Sequence, residues 1–158
     1  MSNYAKIMKN DIVDGEGVCV SLWMQGCPFH CEGCHNKSTW NPDEGIPYTK
    51  ETEDIILNAI SENDIKRNFS VLGGEPLAEY NKNVVNDIVN KVRKKYPDIK
   101  IYLWTGYYLD ELKTKNDKII NEILSNIDYL IDGRFELDKR DITLYLRGSS
   151  NQSVISLK

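Results

Sequence analysis

Hydrophobic residues in this chain come in short β-branched and aromatic runs, separated by longer stretches whose apolar residues fall three and four apart. Val18-Cys19-Val20-Ser21-Leu22-Trp23-Met24 is the first run and reads as a buried strand. Phe69-Ser70-Val71-Leu72, Ile99 to Trp104, and Tyr129-Leu130-Ile131 follow, each of strand length. Between them, Ile55, Ile56, Ala59 and Ile60 mark the apolar stripe of a helix that starts near Thr49 as N-cap, with Thr52 and Glu53 in its first turn. Val84, Val85, Ile88, Val89 and Val92 mark a second helix, and Arg93, Lys94 and Lys95 follow where cations suit the macrodipole. Ile119, Ile120, Ile123, Leu124 and Ile127 mark a third, and Leu144-Tyr145-Leu146 leads into a closing run, Arg147 to Gln152. Asp14-Gly15-Glu16-Gly17 and Asn41 to Gly45 read as turns.

Strand and helix alternate about five times with no second hydrophobic block, which predicts one mostly parallel α/β domain over residues 1–158. A complete eight-stranded barrel typically needs at least ~200 residues, so the pattern predicts an open, incomplete (β/α) barrel of about five or six strands. Sites in such folds lie at the C-terminal ends of the strands.

Composition narrows the function classes. With 41% hydrophobic and 28% charged residues, the chain is an ordinary globular protein. A net charge of -4 and a pI near 5.2 argue against a nucleic-acid footprint. The basic runs Lys91 to Lys95 and Lys113 to Lys118 read as solvated helix faces. Met1 to Gly17 lacks the apolar core of a signal peptide, and no stretch approaches the ~20 apolar residues of a membrane span. A cytoplasmic protein is expected, with reduced thiols.

The candidate chemistry lies in Cys27-Pro28-Phe29-His30-Cys31-Glu32-Gly33-Cys34, which holds three of the four cysteines. A Cys-x3-Cys-x2-Cys spacing on a loop lets three sulfurs converge on a metal centre. Two readings stay open at this point. One is a non-catalytic zinc knuckle that uses Cys27, Cys31, Cys34 and either His30 or His35 and serves only to bind a protein. The other is an iron-sulfur cluster with one iron left open. Cys19, inside the first strand, reads as a small buried hydrophobe. Gly73-Gly74-Glu75-Pro76 ends the second strand, where glycines let a backbone approach a ligand closely.

The cysteine loop together with Gly73-Gly74-Glu75-Pro76 resembles the radical S-adenosylmethionine (SAM) superfamily. Cys34-His35-Asn36-Lys37-Ser38-Thr39-Trp40, Trp104-Thr105-Gly106-Tyr107, Asp132-Gly133-Arg134-Phe135 and Arg147-Gly148-Ser149-Ser150-Asn151-Gln152 narrow the resemblance to the activating proteins of anaerobic ribonucleoside-triphosphate reductases, over about Asp11 to Gln152. The resemblance implies one [4Fe-4S] cluster held by Cys27, Cys31 and Cys34, with SAM on the remaining iron. An electron from an external low-potential donor would cleave SAM to methionine and a 5'-deoxyadenosyl radical. That radical would take a Cα hydrogen from one glycine of the large reductase subunit. No side-chain base is needed, so no catalytic residue is expected beyond the cluster ligands.

For SAM contacts the resemblance implies Gly33, Cys34, His35, Gly73, Gly74, Glu75, Thr105, Asp132 and Arg134. Many superfamily members carry an aromatic residue before the third cysteine, where this chain has Gly33; His35 is the expected planar substitute. Related activases carry Asp-x-Lys where this chain has Asp132-Gly133-Arg134. The closing Arg147 to Gln152 run either closes the site or faces the partner. An activase for a pyruvate formate-lyase type of enzyme is the nearest enzymatic alternative. The free chain is expected as a monomer or a homodimer.

Overall fold

A computed structural model of the chain describes residues 2–158, and Met1 lies outside the described residues. The strands are β1 (Asn3–Asp11), β2 (Cys19–Met24), β3 (Ile46–Pro47), β4 (Asn68–Gly73), β5 (Ile101–Trp104), β6 (Tyr129–Asp132) and β7 (Ser153–Ser156). They form one sheet in the order β3-β1-β2-β4-β5-β6-β7. Four helices, α1 (Lys50–Ala59), α2 (Lys82–Lys95), α3 (Leu109–Lys115) and α4 (Lys118–Asn126), occupy the crossovers.

Neighbours β2, β4, β5 and β6 run parallel, whereas β1, β3 and β7 join antiparallel. The chain is therefore α/β with a partly parallel sheet of seven strands. The expected five or six mostly parallel strands correspond to its middle and omit its margins. β1 is only partly buried along most of its length and carries no apolar run, β3 is two residues long, and β7 is a short Ser-Val-Ile-Ser segment. None of the three has the signature of a buried strand.

Side-chain alternation gives the sheet two different faces. Val20, Leu22, Met24, Phe69, Val71, Ile101, Leu103 and Leu130 pack with Ile56, Ala59 and Ile60 of the α1 region, Val85, Ile88, Val89 and Val92 of α2, and Ile120 and Ile123 of α4 in one core. Burying each such aliphatic side chain contributes roughly 1.5–3 kcal/mol. Intervening residues Ser21, Trp23, Ser70, Leu72, Tyr102 and Trp104 lie outside this core cluster. The Asp14 to Gly17 bend is tied to some of them: Ser70 Oγ donates to Asp14 O, and Glu16 N donates to Tyr102 Oη at 3.1 Å.

Thr49 caps α1 as expected, and its amide donates to Thr52 Oγ1 at 3.0 Å. Ile55 departs from the expected stripe and is 43% exposed, because its position turns toward solvent while Ile56 turns in. Arg93 is also not a solvated residue. Its guanidinium donates to Asn126 O and Ile99 O and pairs with Asp128, fixing the end of α2 to the segments before β5 and β6. No helix among the described residues is long and apolar enough to cross a membrane.

Candidate metal centre

The parallel strands end on one side of the sheet, and the cysteine loop leaves the first of them. Two sets of backbone bonds hold its base. Gly26 N donates to Thr39 O at 2.6 Å and Cys27 N to Trp40 O at 3.0 Å. From the turn after β4, Glu75 N donates to Gly26 O at 2.7 Å and Gly74 N to Met24 O at 3.0 Å. Two buried amides complete the frame. Gln25 Nε2 donates to Ser38 O and Asn41 O, while Asn81 Nδ2 donates to Gln25 O and Glu75 O. Sequence reasoning missed Gln25 and Asn81, although an amide between a buried strand and Gly-Cys and an Asn just before a helix were visible signals.

Beyond that base the loop curls through two left-handed residues, His30 (φ 50°) and Gly33 (φ 77°). Cys34 N donates to Cys31 O at 3.1 Å, and Asn36 N donates to Cys34 Sγ at 3.4 Å. Cys27, Cys31 and Cys34 are half-buried free thiols lining one cavity of about 130 Å³. Gly73, Gly74, Glu75, Thr105, Gly106, Gly133 and Arg134 line the same cavity, whereas Gly33 and Asp132, also expected there, do not. Burial pushes the Cys27 thiol up to about 11 against the opposing amides of Phe29 and His30, and burial also raises Cys31. A metal centre here must displace thiol protons on binding.

The donor set fits an iron-sulfur cluster better than zinc. Three soft thiolates face one cavity, and Cys19 is fully buried elsewhere, with its thiol on Glu16 O. A zinc knuckle draws four donors onto one ion at ~2.0–2.3 Å. Among the described residues, no three His, Cys, Asp or Glu side chains gather for a single ion. His30 stacks on Trp40 at 4.5 Å between ring centroids, His35 packs on Phe135, and neither lines the thiol cavity.

Glu75 is 1% exposed, and its carboxylate is fully engaged within the chain. Oε2 accepts from Leu77 N and Thr105 Oγ1, and Oε1 accepts from Gly106 N at 2.7 Å. The side chain thus ties the β4 turn to the end of β5. Burial pushes its carboxyl up to about 7 despite these donors. Asp132 Oδ2 accepts from Leu109 N, and Oδ1 has no hydrogen-bond partner. Arg134 donates to Gly106 O at 3.2 Å, pairs with Glu111, and lies over the Phe29 and Tyr108 rings. At Gly33, an added Cβ would meet Leu137 Cδ1 at 2.8 Å and Phe135 at 3.3 Å. Space for an aromatic residue at position 33 is already filled by Phe135 and Leu137.

Comparison with known proteins agrees with this arrangement. A family profile described as a 4Fe-4S single cluster domain matches residues 13–155. The anaerobic ribonucleoside-triphosphate reductase-activating protein of Pasteurella multocida is 41% identical over 153 residues, 96% of each chain. Its counterpart in Escherichia coli K12 is 40% identical over 157 residues, 99% of each chain. The chain belongs to this activating-protein family. A more distant member, from Enterobacteria phage T4, is 35% identical over 98% of this chain and 94% of its own.

In this member of the activating-protein family a second cavity, of about 460 Å³, adjoins the thiol cavity through Trp104 and Gln152. Trp23, Leu72, His35, Arg147 and Asp14 line it. His35 therefore stands on the neighbouring cavity. Asp14 lies beside Asp11, which is 2% exposed; Asp11 Oδ1 accepts from the Val13 and Asp14 amides, and its Oδ2 has no hydrogen-bond partner. Burial, then the hydrogen bond and negative charge of Asp11, push the Asp14 carboxyl up to about 7, with Lys6 opposing. Burial also opposes ionisation of Asp11, but Asp14, the Val13 and Asp14 amides and Ser21 outweigh it and lower its pKa. Of the two carboxyl groups, Asp14 is the one that holds its proton to higher pH.

The unfolded Asp14 ionises near 3.8 and the folded one near 7, so the folded state holds the extra proton between those values. Its contribution is present below pH 3.8 and is lost as pH rises toward 7. Asn at position 14 keeps a donor without that proton. Urea unfolding at pH 5 and pH 8 is expected to show a smaller loss of stability at the higher pH for Asp14→Asn than for wild type.

Proposed function

We propose that the chain is a radical-SAM glycyl-radical activase, a single cytoplasmic domain built as an incomplete barrel and acting on the anaerobic ribonucleoside-triphosphate reductase. The observation that carries this reading is the convergence of Cys27, Cys31 and Cys34 with Gly73, Gly74, Thr105 and Arg134 on one cavity. When bound at the three thiolates, a [4Fe-4S] cluster supplies the low-potential electron that cleaves SAM to methionine and a 5'-deoxyadenosyl radical, which takes a glycine Cα hydrogen from the reductase.

The chain's own residues do the holding and orienting. Gly73 and Gly74 offer backbone to the methionine end of SAM, and the lack of a Cβ lets that turn sit directly against the base of the cysteine loop. Glu75 acts from behind, by fixing Thr105 and Gly106 against the β4 turn. Arg134 and the buried Asp132 supply charge at the end of β6. Phe135, packed where a side chain at Gly33 would stand, offers an aromatic surface beside the third cysteine. The adjoining cavity lined by Trp23, Leu72 and Trp104 gives a partner glycine a route to the thiol cavity. Electrons are taken to come from a separate low-potential donor.

The reading is tested by anaerobic reconstitution with iron and sulfide, then addition of dithionite and SAM. Wild type is expected to release 5'-deoxyadenosine and methionine in equal amounts. Stoichiometric zinc with no 5'-deoxyadenosine would show a structural knuckle instead.

A further inference from the structure

Arg147 to Gln152 ends the loop region just before β7, and three of its side chains reach back to the loop after β6. Gln152 Nε2 donates to Gly133 O at 2.8 Å. Asn151 Nδ2 donates to Arg134 O at 2.7 Å and to Tyr108 Oη at 2.8 Å. Ser149, fully buried, accepts from Glu136 N on its Oγ at 3.2 Å. The run also folds on itself, since Gln152 Oε1 accepts from both Gly148 N and Ser149 N. Every polar atom of the Gln152 amide is therefore used inside the chain.

The captured segment forms part of the wall around the thiols. Gly133, Arg134, Phe135 and Gln152 all line the cavity that Cys27, Cys31 and Cys34 share. Phe135 is held between His35, at 5.7 Å between centroids, and Gly148, whose Cβ position lies 3.1 Å from the Phe135 ring. The geometry points to Ser149, Asn151 and Gln152 as positioning residues, a clasp that holds the 133–137 loop shut over the cluster site. This assigns the run to closing the site, and it rests on the cluster reading given above.

A clasp of hydrogen bonds controls a local opening equilibrium, and local opening sets both amide exchange and the access of small reagents. Each bond removed raises the open population roughly fivefold. The test compares reconstituted wild type with Asn151→Asp and Gln152→Glu, which keep side-chain size but lose the donated bonds to Arg134 O and Gly133 O, while the Tyr108 hydroxyl can turn to donate to the new carboxylate at position 151. Ser150→Ala, on an exposed side chain of the same run, is the control. Hydrogen exchange of residues 133–137 is read by mass spectrometry, and iron loss is read with a ferrous chelator.

Both variants are expected to exchange the 133–137 segment about fivefold faster and to lose iron faster by a similar factor. Exchange in β2 and β4 should match wild type, which separates clasp opening from general destabilisation. Unchanged exchange at 133–137, or a uniform rise across the whole sheet, overturns the assignment. Unchanged exchange with weakened binding of the reductase would instead make the run a partner surface. Exchange is also measured on the iron-free protein, so failure of wild type to bind iron sinks the cluster reading and leaves the clasp to be judged separately.

Discussion

Cys31→Ala is expected to lose its iron almost completely and to form no 5'-deoxyadenosine. Cys31 is the middle thiol of the loop, and among the described residues no other cysteine or histidine stands ready to replace it. Cys19 is fully buried elsewhere, and neither His30 nor His35 lines the thiol cavity. Perturbing even an outer-shell partner of a metal site typically costs 10–100-fold, so loss of a ligand itself should lower iron retention by at least roughly a hundredfold. Fold stability should change little, because Cys31 is only half-buried and its amide is not needed at the loop base. Iron content after gel filtration and absorbance near the visible thiolate-iron band check the result. Cys19→Ala is the companion measurement and should retain its full iron.

Gly74→Ala is expected to damage both fold and site. A Cβ at position 74 would stand 2.3 Å from Gly26 O, 2.8 Å from Gly26 C and 2.9 Å from Thr39 O. All three are backbone atoms, so no side chain can rotate away. Relief requires the β4 turn to separate from the base of the cysteine loop, breaking the bonds from Glu75 N to Gly26 O and from Gly74 N to Met24 O. Overpacking against fixed backbone costs on the order of 3 kcal/mol. The urea midpoint should fall accordingly, and reconstituted protein should hold substoichiometric iron. Normal stability with normal iron would mean that the turn and the loop are not mechanically joined.

Gly74 also illustrates how far the site was legible in the sequence. A Gly-Gly at a strand end announces close approach, and the approach is real; its nearest object is the backbone of the cysteine loop. Contiguous or strongly periodic features were readable: the cysteine spacing, the parallel strands β2, β4, β5 and β6, and the stripes of α1, α2 and α4. β1 and β7 were not, because marginal strands need no continuous apolar run. The engagement of Glu75 by Thr105 and Gly106 could not be read either, since nothing local ties a carboxylate to a turn 30 residues away. Likewise, Phe135 occupying the space beside Gly33 depends on a tertiary contact, although glycine at 33 was the visible sign that something else must fill it.

The fate of the abstracted hydrogen can be followed directly. The reductase is prepared with glycine deuterated at Cα and mixed anaerobically with the reconstituted activating protein, dithionite and SAM, and the 5'-deoxyadenosine is weighed by mass spectrometry. Direct abstraction predicts deuterium in the 5'-methyl group, matched by a glycyl radical signal in electron paramagnetic resonance. 5'-Deoxyadenosine that carries no deuterium, with no radical on the reductase, would contradict the account.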